Sequence, residues 1–233
     1  MFIVVDGIDG SGKGTIVDAM AAALDRAGKR VFDLRAYEKK HGSLPTANDL
    51  KKYDVIVSAE PTHAWIGAAI REEMVRSHDY SADSMVDAFA LDREVLYRRL
   101  LIPLRKMGKF IIQERGLSTT LAYQLVQGAT ISNILRRPGN ALAIKHSPDV
   151  LILAILKPEV ALRRLASRTG KQDKAIFEKK AFLTKLARRY ASPSFRRLFT
   201  SRGTRVVSFD TSAPMAVMKK QAMRLLNTLL TSA

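Results

Sequence analysis

Near the start of the chain the run Gly7-Ile8-Asp9-Gly10-Ser11-Gly12-Lys13 constrains the fold more than any other feature. It follows the apolar segment Phe2 to Asp6 and leads into Gly14 to Ala27, where Ile16, Val17, Met20, Ala21 and Leu24 fall on one helix face. Glycines between a strand and a helix let backbone N–H groups converge on phosphate oxygens. The helix N-terminus adds partial positive charge, and a lysine ending the loop can reach the outer phosphates. The run predicts a phosphate-binding loop made of Gly7, Asp9, Gly10, Ser11, Gly12, Lys13, Gly14 and Thr15, against the plainer alternative of a glycine-rich turn. One position departs from the usual pattern. Serine or threonine commonly follows the lysine and touches Mg2+ through its hydroxyl, but here Gly14 follows and Thr15 comes after it.

Further apolar runs at Arg30 to Leu34, Asp54 to Ser58, Phe110 to Gln113, Val150 to Leu156 and Arg205 to Phe209 lack the alternation of a sheet with one wet face. They read, with Phe2 to Asp6, as buried parallel strands. Helical stretches separate them, after Gly14 to Ala27, at Ala64 to Arg76, Ser84 to Met107, Leu117 to Gln127, Pro158 to Arg168, Ala175 to Tyr190 and Pro214 to Leu230. Alternating strands and helices predict an α/β fold: a doubly wound parallel sheet with helices on both faces, in three layers. Residues 1–233 are expected to form one domain, with Tyr37 to Lys52 a surface excursion between two strands.

The chain has no cysteine, which excludes a disulfide scaffold, a thiolate zinc site and a cysteine nucleophile, and is compatible with a reducing cytoplasm. His41, His63, His78 and His146 are scattered without ligand spacing, so neither a metal cage nor a histidine triad is suggested. No apolar run approaches the ~20 residues of a membrane span. Met1 leads straight into the first strand without a basic leader, so no secretory signal is expected and the protein is read as cytoplasmic.

The segments after the loop, in their order, resemble the thymidylate kinase family. Glu60-Pro61-Thr62 with Gly67 and Ile70-Arg71 is similar to that family's Arg-Glu-Pro-Gly-Gly-Thr segment. Phe89-Ala90-Leu91-Asp92-Arg93 is similar to its Phe-Ala-Ala-x-Arg helix, and Glu114-Arg115-Gly116 with Ser118 to Gln124 to its Asp-Arg-Tyr…Ser-Ser-x-Ala-Tyr-Gln stretch. Arg164, Arg168, Asp173 and Glu178 resemble its arginine-rich lid. The resemblance implies a P-loop NTPase fold with a mobile basic lid over 163–180, and a kinase that moves the ATP γ-phosphoryl group to dTMP with Mg2+ required. It implies that Lys13, Arg115, Arg164 and Arg168 carry catalysis, and that Arg71 and Arg115 steady the acceptor phosphate. Asp9 would meet the 3′-hydroxyl, and Tyr123 would crowd the place of a 2′-hydroxyl. Thr120 and Gln124 would lie near the base, with Glu60 in the same acceptor site, while Thr15 and Glu114 would serve the metal. A homodimer is implied too. Phe89, by its chemistry, can stack on a flat base, and Arg93, four residues on, projects from the same helix face toward a base carbonyl. Ala59 for arginine, Gly116 for an aromatic and Glu114 for aspartate depart from the family pattern, so a kinase of the same fold acting on another nucleotide or nucleoside stays open.

Charge raises a competing reading. Lys and Arg number 39 against 22 Asp and Glu, a net charge of +17, and Lys157 to Arg205 holds 15 basic and 3 acidic residues. A lid accounts for the first half of that stretch; the second, Arg188 to Arg205, invites nucleic-acid binding by a P-loop protein that no longer turns over. Its aromatics, Tyr190, Phe195 and Phe199, are too few for a base-stacking platform, and the two phenylalanines, four apart, read better as a packing face.

Overall fold

In the computed structural model, which describes residues 1–76, 80–167 and 180–231, all six predicted strands form one parallel sheet in the order β2-β3-β4-β1-β5-β6. The strands are β1 (Phe2–Gly7), β2 (Val31–Asp33), β3 (Val55–Ala59), β4 (Phe110–Glu114), β5 (Val150–Ile155) and β6 (Arg205–Asp210). Central β1 pairs Phe2 with Ile111 on β4 and Ile3 with Val150 on β5. Its side chains alternate between two separate cores, Phe2 and Val4 on one face of the sheet and Ile3 and Val5 on the other. Both faces are dry over the central strands, which is why those sequences do not alternate. The two edge strands, expected to be buried, are half-buried in β2 and largely exposed in β6, each lacking a neighbour on one side.

Helix α1 (Lys13–Arg26) buries Ile16, Val17 and Met20 against one face of the sheet. Along the edge strand runs α2 (Leu34–His41), then α3 (Trp65–Ala69), α4 (Ala82–Leu96), α5 (Ile102–Lys106), α6 (Leu117–Val126), α7 (Ile131–Arg136), α8 (Pro138–Lys145), α9 (Pro158–Ala166), α10 (Lys180–Ala191), α11 (Pro193–Thr200) and α12 (Met215–Thr231). Helix α12 shares the α1 face through Met218, Ala222, Leu226 and Leu229, while α4, α6, α10 and α11 cover the other. The result is the three-layer doubly wound arrangement.

Departures from the sequence expectation are local. Leu34 starts a helix rather than ending a strand, because the Asp33 carboxylate accepts from Arg35 N at 3.0 Å and caps the turn. The first part of the Tyr37–Lys52 excursion is accordingly helical, with Leu34 and Glu38 buried one turn apart. The predicted Ser84–Met107 helix starts at Ala82, capped by Ser81, and widens to a π turn over Tyr97–Leu101 just before Pro103, which has no N–H to give. Helices α7, α8 and α11 were not expected, although Thr130 and Ser192 cap two of them and Pro138 and Pro193 open two. The 163–180 lid segment lies mostly outside the described residues, Arg168 included.

Candidate active site

The carboxyl ends of β1, β3 and β4 form one edge of the sheet, where open α/β folds place their ligands. Residues 8–12 turn there between β1 and α1. Two glycines are obligatory: a Cβ on Gly7 would sit 2.5 Å from Ala154 O and one on Gly10 2.6 Å from Ala161 O, with φ at +148 and +79. The loop thus packs directly on β5 and α9. Lys13, the first residue of α1, is buried, and its Nζ donates to Gly7 O at 3.0 Å and Ile8 O at 2.8 Å. Burial and the nearby Arg115 lower its pKa to about 8.

Asp9 joins the loop to the elements opposite. Its carboxylate accepts from the Arg115 guanidinium and, at 2.9 Å, from the Tyr123 hydroxyl, with Lys13 Nζ at 3.9 Å. Burial alone would raise the Asp9 carboxyl, but Arg115, Lys13 and the two hydrogen bonds outweigh it and bring it down to about 2. Arg115 holds a left-handed backbone, φ +65, uncommon for a residue with a Cβ. It is secured by its own N–H to Val5 O at 2.9 Å and by Gln113 Nε2 to its carbonyl at 2.9 Å. Its guanidinium lies 5.7 Å over the Tyr123 ring. One residue earlier, Glu114 faces the first turn of α1, where Gly14 and half-buried Thr15 lie. Among the described residues no cluster of three or more metal-ligating side chains occurs.

The remaining predicted residues line a second pocket wall. Glu60, Thr120, Gln124 and Tyr123 are buried, and Phe89 is 9% exposed within the larger core. Arg71 donates from Nε to Pro61 O at 2.9 Å and Thr62 O at 3.0 Å, and burial together with Arg115 brings it down to about 10. Arg93, expected to donate to a base carbonyl, is held by protein partners in this structure. It is 1% exposed, gives Nε to Glu60 at 2.8 Å, Nη2 to Thr120 at 3.1 Å and Nη1 to Asn140, and so serves as a brace. Arg164, predicted to meet the phosphoryl group, donates Nη2 to Thr211 O at 2.8 Å and ties α9 to the segment after β6.

Sequence reading overlooked several members. Asp6, buried under the loop, accepts from Ser118, Thr119 and Tyr190 and so links β1 to α6 and α10. Asp92 accepts from Thr62 N and Oγ1 and shapes the Glu60–Thr62 turn, which contains a cis Glu60–Pro61 bond. Glu38 of α2 accepts from His63 N at 2.8 Å, and burial raises it to about 7. The only advance signal for these was position, at strand ends or beside a motif. Ser11 Oγ, Gln113 Oε1, Gln124 Oε1 and Glu38 Oε1 are buried polar atoms without a protein partner, all of them around this edge. Buried polar groups of this kind are completed by water or by a ligand.

In the basic stretch, Tyr190, Phe195 and Phe199 are buried against one another, ring centroids 5.2 and 5.4 Å apart, so they form the anticipated packing face.

Comparison with known proteins bears on the family. The family model described as Thymidylate kinase matches residues 45–221. A thymidylate kinase of Leptospira borgpetersenii is 29% identical over 190 residues, covering 82% of this chain and 79% of the relative. One from Caldicellulosiruptor saccharolyticus is 30% identical over 176 residues, covering 74% and 72%. A probable thymidylate kinase of Archaeoglobus fulgidus is 28% identical over 231 residues, covering 99% and 96%.

Proposed function

The chain belongs to the thymidylate kinase family, and from that premise we propose how its residues divide the work. It is an ATP-dependent nucleoside monophosphate kinase, moving the γ-phosphoryl group of ATP to dTMP to give dTDP and ADP. Phosphoryl transfer demands fixed positive charge on the moving group more than it demands a base. Lys13 and Arg115 supply it. Lys13 exchanges its bonds to the loop carbonyls for phosphate oxygens, and Arg115 lies between the loop and α6, within reach of donor and acceptor alike. Arg71 holds the acceptor phosphate, still charged at neutral pH with a pKa of about 10.

Mg2+ fits the edge of the site, where Glu114 and Thr15 offer oxygen donors at the start of α1. When bound it would neutralise charge on the donor phosphates. On the acceptor side, Phe89 packs against the base, Thr120 and the unpartnered Gln124 Oε1 face its polar edge, and Arg93 with Glu60 keeps that wall in place. Arg164 steadies the donor-side segment after β6, and with Arg168 it supplies the lid's positive charge to the moving phosphoryl group. A homodimer is carried over from the family resemblance, and a cytoplasmic setting accords with the cysteine-free sequence.

The observation that carries this reading is the Asp9 carboxylate, shared by Lys13, Arg115 and Tyr123, which connects the phosphate loop to the acceptor wall. Asp9 then receives the 3′-hydroxyl of the acceptor sugar, and Tyr123 excludes a 2′-hydroxyl. Steady-state rates with dTMP and with its 3′-deoxy analogue test it. The wild type is to prefer dTMP, and Asp9→Asn is to lose that preference; equal use of both by the wild type contradicts the placement.

A further inference from the structure

Helix α1 carries a glycine directly after the loop lysine, and that glycine faces a carboxylate. A Cβ built on Gly14 would lie 3.2 Å from Glu114 Oε2, 3.8 Å from its Cδ and 3.9 Å from Oε1. That is tighter than an ordinary contact, so a side chain at position 14 is seated only if the Glu114 carboxylate gives way by a few tenths of an ångström. The backbone of Glu114 is fixed on both sides, so only its side chain can give: it pairs with Val5 of β1 and Ala59 of β3, and its carbonyl accepts from Glu60 N at 2.9 Å.

A second group approaches the side chain. Arg35 of α2 gives Nε and Nη2 to Asp33 at 2.9 and 2.8 Å and Nη2 also to Asp18 at 2.7 Å, which leaves Nη1 facing Glu114 Oε2 at 4.0 Å. Asp18 sits on α1 one turn after Gly14, so the guanidinium is anchored on the same helix the carboxylate approaches. An arginine fork held at two points loses little freedom when it orients a third partner.

Resting on the reading that Glu114 serves the nucleotide-bound cation, we propose that Glu114 stands in for the hydroxyl missing at position 14, and that Arg35 is the residue positioning it. Chemistry explains the exchange. Glutamate is one methylene longer than aspartate, so its carboxylate reaches α1 only where no side chain stands in the way, and glycine provides that. The two positions should then be coupled: each is matched to the other, and neither tolerates change alone.

The test is a double-mutant cycle on the full chain, read by Mn2+ affinity in the presence of a non-hydrolysable ATP analogue and by the melting temperature without metal. Gly14→Ser and Glu114→Asp should each weaken Mn2+ binding by roughly tenfold or more, in the range seen when groups around a metal are altered. The double variant should recover to within about threefold of wild type, a strongly non-additive result. Gly14→Ser should also lower the melting temperature, and Glu114→Asp should relieve that loss without metal. Arg35→Met should weaken Mn2+ several-fold, with Arg35→Lys recovering part of it. Additive losses, or single substitutions without effect, overturn the proposal. If Gly14→Ser alone fails to fold, Glu114→Asp compared with the double variant decides the same question. Coupling without phosphorylation of dTMP would sink the acceptor reading only; activity on dTMP with additive losses would sink the coupling only.

Discussion

Replacing Arg93 by methionine separates a brace from a substrate contact. The guanidinium is 1% exposed and pairs with Glu60, itself buried, at 2.7 Å, while Thr120 and Asn140 take further donors. Removing one member of a buried pair leaves the other charge uncompensated, at a cost of about 3–5 kcal/mol. For a domain of this size each kcal/mol moves the melting temperature by roughly 2–4 °C, so a fall of roughly 6–20 °C follows. The loss should deepen with pH. Burial already raises the Glu60 carboxyl and Arg93 opposes that rise, so without Arg93 the folded protein holds a proton that the unfolded chain gives up, and stability falls as pH increases past the ordinary glutamate range. Thermal melts by circular dichroism at pH 5 and pH 8 measure both effects, and adding Glu60→Gln should restore at least half the loss. An Arg93→Met protein melting within about 2 °C of wild type at both pH values would refute the brace.

Lys13→Ala should leave the circular dichroism spectrum intact and cut kcat by at least ~10²-fold, as loss of a transition-state charge contact does. In the wild type, kcat/KM for ATP should fall as pH rises through about 8, where free Lys13 loses its proton. By contrast kcat should persist to higher pH, because bound phosphates keep the ammonium charged. Phe89→Ala should raise KM for dTMP about tenfold or more with KM for ATP little changed, and cost about 3 kcal/mol in stability because the ring also belongs to the core; an effect on ATP alone would misplace the acceptor. Reversing Arg196, Arg197 and Arg202 to Glu should leave nucleotide kinetics within about twofold, since these side chains bond Ser208, Leu198 and solvent rather than the site. A nucleic-acid role would instead show oligonucleotide binding with a salt slope of about −0.7 per contact, lost in the triple variant.

The central strands were legible because burial on both faces leaves one signature, continuous apolar residues, and the edge of the sheet they define fixed where the glycine loop would lie. Helix α2 was not, since its start depends on one cap, Asp33, inside what reads as an apolar strand end. For the site, residue identity was readable and residue partnership was not. Arg93 and Phe89 carry the same spacing whether they face a ligand or a core; it is Glu60, Thr120 and Asn140, all distant in sequence, that make Arg93 a brace. Glu38 and Arg35 reach the site from α2, a helix with no motif of its own. Contacts over such separations leave no local pattern in the chain.

The central claim, phosphoryl transfer from ATP to dTMP through Lys13 and Arg115, is tested most directly by one coupled ADP-release assay run across the common nucleoside monophosphates with ATP and Mg2+. The account predicts the highest kcat/KM with dTMP, weak release with ribonucleotides, which Tyr123 excludes, and near-background release with dTMP in the Lys13→Ala protein. Background ADP release with dTMP in the wild type, or a clear preference for another monophosphate, would contradict it.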